Sequence, residues 1–326
     1  MSGAKARAEL IEDGGEAAAG EEFFRSRAFL DAEGVTHTLR IESAETVLLA
    51  PLIVRPIDDG PERDAISPYG YPGLVPLVSA SDIDHTRVGS MSDALLDPTA
   101  VDFSATGLVS VFLRHTLGNP PLAGASERNV VQIADPAQQS KSRGSDRNQI
   151  NKNLRRGYEL SLVPGPETSP AQRIGFLAAY EQTMRRTGAS ERYFFGAAYF
   201  DRILEFPRSW LALAHAPDGT IAAASIAAVS DGYLHYYLSG SGDSHLRDSP
   251  MKNVVASLVE LSAELGLPLN LGGGISRGDR LEEFKRGFAN RELPWQSSEI
   301  VADPSAYARL AAGRDAAGFF PAYRAS

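Results

Sequence analysis

The chain runs Asn270-Leu-Gly-Gly-Gly-Ile-Ser-Arg-Gly-Asp-Arg-Leu-Glu-Glu-Phe-Lys-Arg-Gly-Phe288: an apolar run ends in three successive glycines, followed by a polar turn and a short amphipathic helix carrying Phe284, Lys285 and Phe288. Glycine loses more conformational entropy on folding than any other residue, so three in a row require backbone at close quarters or positive φ. A glycine turn between a strand and a helix accounts for the local pattern. Whether Lys285 is merely solvated or chemically placed depends on what surrounds it.

Working outward, Thr168-Ser169-Pro170-Ala171-Gln172 predicts a helix start, with Ser169 as N-cap, proline in the first turn and Gln172 closing a capping box. Ile174, Leu177, Tyr180 and Met184 recur at helical spacing, and a second short helix is expected near Ala197–Leu204. Period-two and apolar runs then predict three strands, Trp210–His215, Ile221–Val229 and Tyr233–Leu238. They are joined through Asp218-Gly219 and Asp231-Gly232, so the expectation is an antiparallel meander. Ser249-Pro250 predicts an N-cap and the start of a helix that ends at Gly266. A strand at Leu267–Leu271, the Phe284–Lys285 helix and a strand around Trp295–Val301 complete the half.

The N-terminal half carries a weaker form of the same order. A helix near Glu21–Leu30 precedes a hairpin of Thr36–Ile41 and Thr46–Arg55, and apolar runs at Leu108–Leu113 and Asn129–Ile133 extend the sheet. The Gly-, Pro- and Tyr-rich stretch Pro61–Val75 reads as an ordered loop. The expected division is a disordered tail over 1–20, an N-terminal domain over 21–140, a basic inter-domain helix over 141–157 and a C-terminal domain over 158–326. The expected fold class is α/β (α+β), with two tandem domains, each a mixed, mainly antiparallel sheet flanked by helices.

Bulk properties narrow the chemistry. A length of 326 residues suits two domains, and 43% hydrophobic with 22% charged residues is ordinary for a globular chain. No window approaches the ~20 apolar residues of a membrane helix, and the Ala-, Gly- and Glu-rich N-terminus lacks the apolar core of a signal peptide. A cytoplasmic location is the default expectation. Zero cysteines excludes disulfides, thiolate nucleophiles and cysteine metal sites. The net charge of −9 opposes broad wrapping by nucleic acid, yet Lys141, Arg143, Arg147, Lys152, Arg155 and Arg156 crowd one segment with a single acid, Asp146. Such a stripe suits contact with a few phosphates, or is a solvated helix face.

Three other chemistries fit poorly. Gly274-Ile-Ser-Arg-Gly278 matches G-x-S-x-G after a strand, but a hydrolase places its histidine after the serine and the last histidine here is His245. The same glycines fail as a dinucleotide fingerprint, because Arg277 stands where the last glycine belongs. His235, His245 and Asp243 have no metal-ligand spacing, so packing or surface roles are expected and no metal is assigned.

Together these segments resemble the Fem-type aminoacyltransferase family of the GNAT superfamily. The similarity lies in LGGG followed by D-x-L-x-x-F-K-x-x-F, in Tyr180-Glu-Gln-Thr-Met-Arg-Arg-Thr-Gly-Ala189 with Tyr193-Phe-Phe195, and in Tyr233-Leu-His-Tyr-Tyr-Leu-Ser-Gly240. Arg147–Gly157 is similar to the family's arginine-rich inter-domain segment, and Ser67-Pro-Tyr-Gly-Tyr-Pro-Gly73, more loosely, to a first-domain loop. The resemblance implies two GNAT-like domains and transfer of an aminoacyl group from aminoacyl-tRNA to an amine, on a small-molecule, natural-product or cell-wall-precursor acceptor. It implies Lys285 as the catalytic cation, at the start of its helix. Tyr69, Tyr71, Arg186, Tyr193, Tyr237, Gly273, Gly274 and Phe284 are implied as substrate-binding, and Arg147, Lys152, Arg155 and Arg156 as tRNA-binding. No cofactor is expected, aminoacyl-tRNA being a co-substrate.

The alternative on the same fold is an acyl-CoA-dependent N-acyltransferase. Its pyrophosphate loop would fall at Gly240–Ser249, which lacks the Q/R-x-x-G-x-G/A spacing and carries Asp243 and Asp248. A helix N-terminus after that loop still favours anions on dipole grounds. A non-catalytic binding module is the third reading.

Overall fold

The computed structural model describes residues 5–77, 96–118, 120–139 and 142–325. The chain divides into two units, Met1–Arg128 with Trp295–Ser326, and Asn129–Pro294.

The first unit contains β1 (Ala6–Ile11), α1 (Arg27–Glu33), β2 (His37–Glu42), β3 (Val47–Pro56), β4 (Arg63–Ile66), β5 (Val75–Pro76), β6 (Val101–Asp102) and β7 (Leu108–Arg114). Its sheet runs β6-β1-β2-β3-β4-β7, with β5 also on β3. Ala8, Leu39, Ile41, Leu52, Val111 and Leu113, all fully buried, form its core.

The expected disordered tail over 1–20 is corrected by β1. Its Ala6 and Ala8 are buried while Arg7 and Glu9 face solvent, and it pairs antiparallel with β2 from Arg7↔Glu42 to Ile11↔Thr38. Alanines at the inward positions kept this period-two pattern inconspicuous; residues 1–4 lie outside the described residues. The stretch Pro61–Val75 is likewise not all loop, since β4 pairs with β3 and β7. Its Asp64 is fully buried between Arg55 at 2.9 Å and Arg324 at 3.0 Å.

The chain passes into the second unit within β8 (Ser126–Ala134). There follow α2 (Gly144–Arg155), β9 (Glu159–Pro164), α3 (Pro170–Thr187), α4 (Ala197–Ile203), β10 (Ser209–His215), β11 (Ile221–Ser230), β12 (Tyr233–Ser241), α5 (Met251–Leu265), β13 (Leu269–Gly272) and α6 (Arg280–Arg286). The sheet order is β8-β13-β12-β11-β10-β9. The predicted capping box at Ser169 is present in full, and the meander forms with β10, β11 and β12 antiparallel. One cap differs: Ser249 adopts φ 48° and Pro250 is the N-cap of α5.

The chain returns to the first unit within β14 (Arg291–Val301), whose Ser297–Val301 pair with Arg114–Ser110 of β7, and ends with α7 (Pro304–Ala311). A C-terminal domain running from 158 to 326 is therefore corrected: ladder bonds to β7 bind the last segment to the first unit. The inter-domain helix over 141–157 is corrected too. Here α2 belongs to the second unit, with Asp146, Gln149, Ile150 and Asn153 turned toward α5, while Lys141 lies outside the described residues.

Candidate active site

In the second unit β12 and β13 run parallel but pair only at Leu234↔Leu269 and His235↔Asn270. Beyond that rung the two strands no longer pair; Gly272 ends β13, and Gly273 and Gly274 follow directly on it. Each glycine has a steric reason. Gly272 sits at φ 74°; a Cβ on Gly273 would stand 2.7 Å from the Val130 carbonyl; one on Gly274 would stand 2.4 Å from the Asp279 carboxylate. Asp279 organises the following turn as N-cap of α6. Its carboxylate accepts the N–H groups of Ile275 at 2.6 Å, Ser276 at 3.0 Å and Glu282 at 2.7 Å. Burial works to raise its pKa, but backbone donors from Glu282, Ser276, Ile275 and Leu281 together hold it below the usual aspartate value.

Lys285 lies in the last turn of α6 rather than at its start, a correction that places the cation at the negative end of the helix. Its side chain reaches back so that Nζ donates to the Gly273 carbonyl at 2.6 Å and sits 5.9 Å from the centre of the Tyr236 ring. The residue is 8% exposed. Burial lowers its pKa to about 8, opposed by the charge of Asp279. An ammonium has three donors, so two remain for a substrate oxygen after the bond to Gly273. Burial also pushes the Tyr236 hydroxyl up to about 12, and it donates to Ser239 Oγ at 2.6 Å.

The other sequence-derived residues are distributed unevenly. Gly273 and Gly274 adjoin Lys285, whereas Phe284 packs edge-on to Phe288 at 5.7 Å and against the core. Tyr237 is skipped by the register, because Tyr236 pairs with Ala227 and Leu238 with Ile226. Its hydroxyl meets Tyr199 of α4 at 2.6 Å, so Tyr236 and not Tyr237 is the ring beneath Lys285. Arg186 pairs with Asp243 and also donates to Thr183 at 3.0 Å, and Arg192 lies 4.8 Å over the Tyr193 ring. Tyr69 and Tyr71 belong to the first unit. There Tyr69 N–H donates to Glu33 at 2.8 Å, and Tyr71 meets Phe24 and Trp295 edge-on at 5.5 and 6.5 Å.

Sequence reading assigned no site role to Asp279, Tyr236 or Asn270, and the packing role it allowed for His235 agrees with the burial of that ring. Asp279 was findable as a cap preceding an apolar run. The bulge that decides the facing of Tyr236 has no signal in a single sequence. A cavity of about 470 Å³ in the first unit, lined by Pro61, Glu62, Phe103, Leu108 and Asp303 among others, shares no residue with this constellation. Among the described residues no three His, Cys, Asp or Glu side chains are grouped as a metal requires, and no helix is long and apolar enough to cross a membrane.

Side chains of α2 bind the chain beside the N-terminus of α5. Asn153 of α2 donates to the Asp248 carbonyl at 2.8 Å and to Asn253 Oδ1 at 2.7 Å, and Gln149 reaches the same carbonyl at 3.0 Å. Lys252 pairs with Asp146 at 2.8 Å. The Asp248 carboxylate takes Arg156 at 2.5 Å and the Tyr158 hydroxyl at 3.0 Å. First-turn donors are also used locally, Lys252 N–H to Ser249 and Asn253 N–H to Pro250. The outer face of α2 presents Arg147, Lys152 and Arg155, exposed and without a carboxylate partner among the described residues.

Residues 140–286 match the family model described as an acetyltransferase (GNAT) domain. That segment is a GNAT-type domain, and the chain as a whole shares its fold with solved structures. FemX superposes with TM-score 0.55 at 11% identity, over 83% of this chain and 89% of that one. The C-terminal domain of a putative lysylphosphatidylglycerol synthetase from Agrobacterium fabrum gives 0.57 at 15%, over 90% and 93%. A conserved protein of unknown function from Bacteroides thetaiotaomicron gives 0.51 at 12%, over 87% and 92%. No curated protein sequence matches this chain significantly. The Fem-type resemblance read from the motifs is thus matched by a shared GNAT fold, and it covers both units.

Two buried histidines set an acid limit on this fold. Burial lowers His235 and His115 each to about 4 from 6.5. Between those values the unfolded chain binds protons that the folded chain does not, so stability is lost as pH falls from about 6.5 to 4. Urea midpoints are expected to drop between pH 7 and 5, and to drop less in a His115→Gln variant. Equal midpoints at the two pH values would refute the assignment.

Proposed function

We propose that this GNAT-fold chain is an N-acyltransferase that moves an aminoacyl group from aminoacyl-tRNA to an amine of a small molecule or peptide. The observation that carries the reading is the enclosed Lys285 ammonium, held against the glycine turn where β12 and β13 part, with two donors to spare. An aminoacyl ester is already activated. A neutral amine attacks its carbonyl carbon, the carbon–nitrogen bond forms, and charge collects on the carbonyl oxygen within reach of Lys285. Collapse breaks the ester carbon–oxygen bond, and the amine proton passes to the leaving ribose oxygen. Orientation and oxyanion stabilisation then supply the catalysis, and neither a cofactor nor a metal takes part.

The surroundings of α2 and α5 support aminoacyl-tRNA as the donor. Acyl-CoA needs its pyrophosphate at N–H groups beyond β12, and the Asp248 carboxylate beside the N-terminus of α5, paired with Arg156, disfavours that anion there. The exposed Arg147, Lys152 and Arg155 instead suit a phosphate backbone lying along α2. Gly273 and Gly274 flank the carbonyl, with Tyr193, Tyr237, Arg186 and Phe284 as further substrate contacts on the second unit; Arg186 must exchange Asp243 for any acceptor group.

Incubation with a tRNA pool, amino acids, their synthetases and candidate amines tests the reading. Product formation should be abolished by ribonuclease. Phosphatidylglycerol vesicles, which offer a hydroxyl instead of an amine, belong in the assay as a contrasting acceptor, because a putative lysylphosphatidylglycerol synthetase shares the fold, and acylation of that hydroxyl in preference to every amine would replace the amine acceptor. Turnover that survives ribonuclease and requires acyl-CoA would replace the aminoacyl-tRNA donor, and absence of all turnover would favour a binding module.

Binding to tRNA should be weak and salt-sensitive. Each phosphate contact removed by Lys152→Glu or Arg155→Glu should lower the salt slope by about 1. Arg156→Glu breaks the pair with Asp248, so it should lower stability as well. Affinity unaffected by the reversals at 152 and 155 would remove α2 from the interface.

A further inference from the structure

We propose that His235 and Asn270 are a positioning pair, a buried relay that fixes the glycine turn against which Lys285 is held. They are the last paired rung of β12 and β13, and are 2% and 1% exposed. The hydrogen-bond chemistry leaves one arrangement. Gly272 N–H can only donate, and it lies 2.8 Å from the Asn270 side chain, so Oδ1 faces it. The amide nitrogen then faces His235 Nδ1 at 3.0 Å and must donate to it. On the far side of the ring, Nε2 lies 3.1 Å from the Ser230 carbonyl, which can only accept. His235 is therefore neutral, with its proton on Nε2.

The relay runs from the β11–β12 turn at Ser230, through His235 and Asn270, to the amide of Gly272, whose φ of 74° turns the chain so that the next carbonyl, Gly273, meets Lys285 at 2.6 Å. Asn270 makes this as a side-chain-to-backbone turn two residues on. A protonated ring would set Nδ1–H against the Asn270 amide, two donors facing each other. The charged group beside the ring is Asp231, and the Tyr233 ring lies 6.0 Å away. Burial keeps the neutral form, lowering the pKa to about 4. The inference rests on the proposed role of Lys285 for its catalytic meaning but not for its geometry.

The test reads His235 and Lys285 directly, by nitrogen NMR of the imidazole and by titration of Lys285 Nζ in lysine-labelled protein. In the native chain the ring should be neutral with hydrogen on Nε2. In Asn270→Asp, the carboxylate still accepts Gly272 N–H but cannot donate to Nδ1, so the ring should become imidazolium at pH 7 while Lys285 titrates near its native value. In Asn270→Leu, the turn is released, and proton affinity of Lys285 should fall about tenfold or more as its carbonyl partner is lost. His235→Gln, which can both donate and accept, should restore most of that affinity relative to His235→Leu. Hydrogen on Nδ1 in the native chain, or a neutral ring in the Asp variant, would overturn the relay, and so would unchanged Lys285 titration in a folded Leu variant. If Asn270→Leu does not fold, the Asp variant decides alone. Activity that is indifferent to Lys285 would remove the catalytic reading and leave these spectra unchanged, so the two failures are distinguishable.

Discussion

Lys285→Met is expected to lower kcat by about 10²–10³ with KM nearly unchanged and with no loss of stability at pH 7. The ammonium is held at the Gly273 carbonyl with two of its three donors left over, so under the proposed mechanism its loss removes an interaction that strengthens only as charge develops on the substrate. The stability half follows from the pKa, about 8 folded against 10.5 in the free side chain. Below pH 8 the folded chain holds this charge less favourably than the unfolded chain does. Stability therefore rises between about pH 8 and 10.5, and at pH 7 the buried charge weighs against folding. Methionine keeps the apolar stem and removes that penalty. Activity that depends on the ammonium should also fall as pH climbs through about 8, and the methionine variant should lack this limb. Lys285→Arg should recover only part, since a planar fork does not replace a compact charge. Steady-state kinetics and thermal melts check each point. Full turnover in the methionine variant would end the mechanism, and a large fall in melting temperature would make the lysine structural.

Gly240→Ala should destabilise the second unit by about 3 kcal/mol or more, with a fall in melting temperature of roughly 6–12 °C. A Cβ at this position would stand 2.4 Å from Tyr180 Cα and N and 2.5 Å from the Ala179 carbonyl carbon. These are backbone atoms of α3, which cannot rotate away as a side chain would. The segment Gly240–Ser249 stands where a phosphate loop would fall but lacks its spacing, and Gly240 is where β12 passes directly against α3. Gly242 serves as the contrast. Its nearest neighbour would be the His245 ring at 3.6 Å, an ordinary contact, so Gly242→Ala should be nearly neutral. Equal melting temperatures for the two alanine variants would contradict this account.

Local chemistry is what the sequence carried. Ser169, Pro170 and Gln172 state a helix start in four residues because capping is satisfied within one turn. The Asp-Gly turns and period-two runs likewise specified the meander, since neighbouring strands joined by short turns pair with one another. The glycine triplet announced constrained backbone, and both of its reasons, positive φ and close approach, are present. Lys285 was legible as a residue of interest from its place after that turn. Its position at the end of α6 was not, because Asp279, five residues behind Gly274, sets where the helix begins.

Pairings between distant segments were decided only by the tertiary structure. That β14 closes on β7 rather than extending the C-terminal domain depends on a ladder between residues more than 180 apart, Ser297 and Arg114 for one. No short-range pattern encodes such a partner. The same holds for β1, whose alternation gains meaning only when β2 lies beside it, and for α2, whose basic residues were plain in sequence but whose polar inner face found its purpose at the N-terminus of α5. His235 and Asn270 are 35 residues apart and carry no joint motif. Burial made their hydrogen bonds obligatory, since a buried polar group left unpaired costs about 1–3 kcal/mol, and burial is a property of the assembled fold.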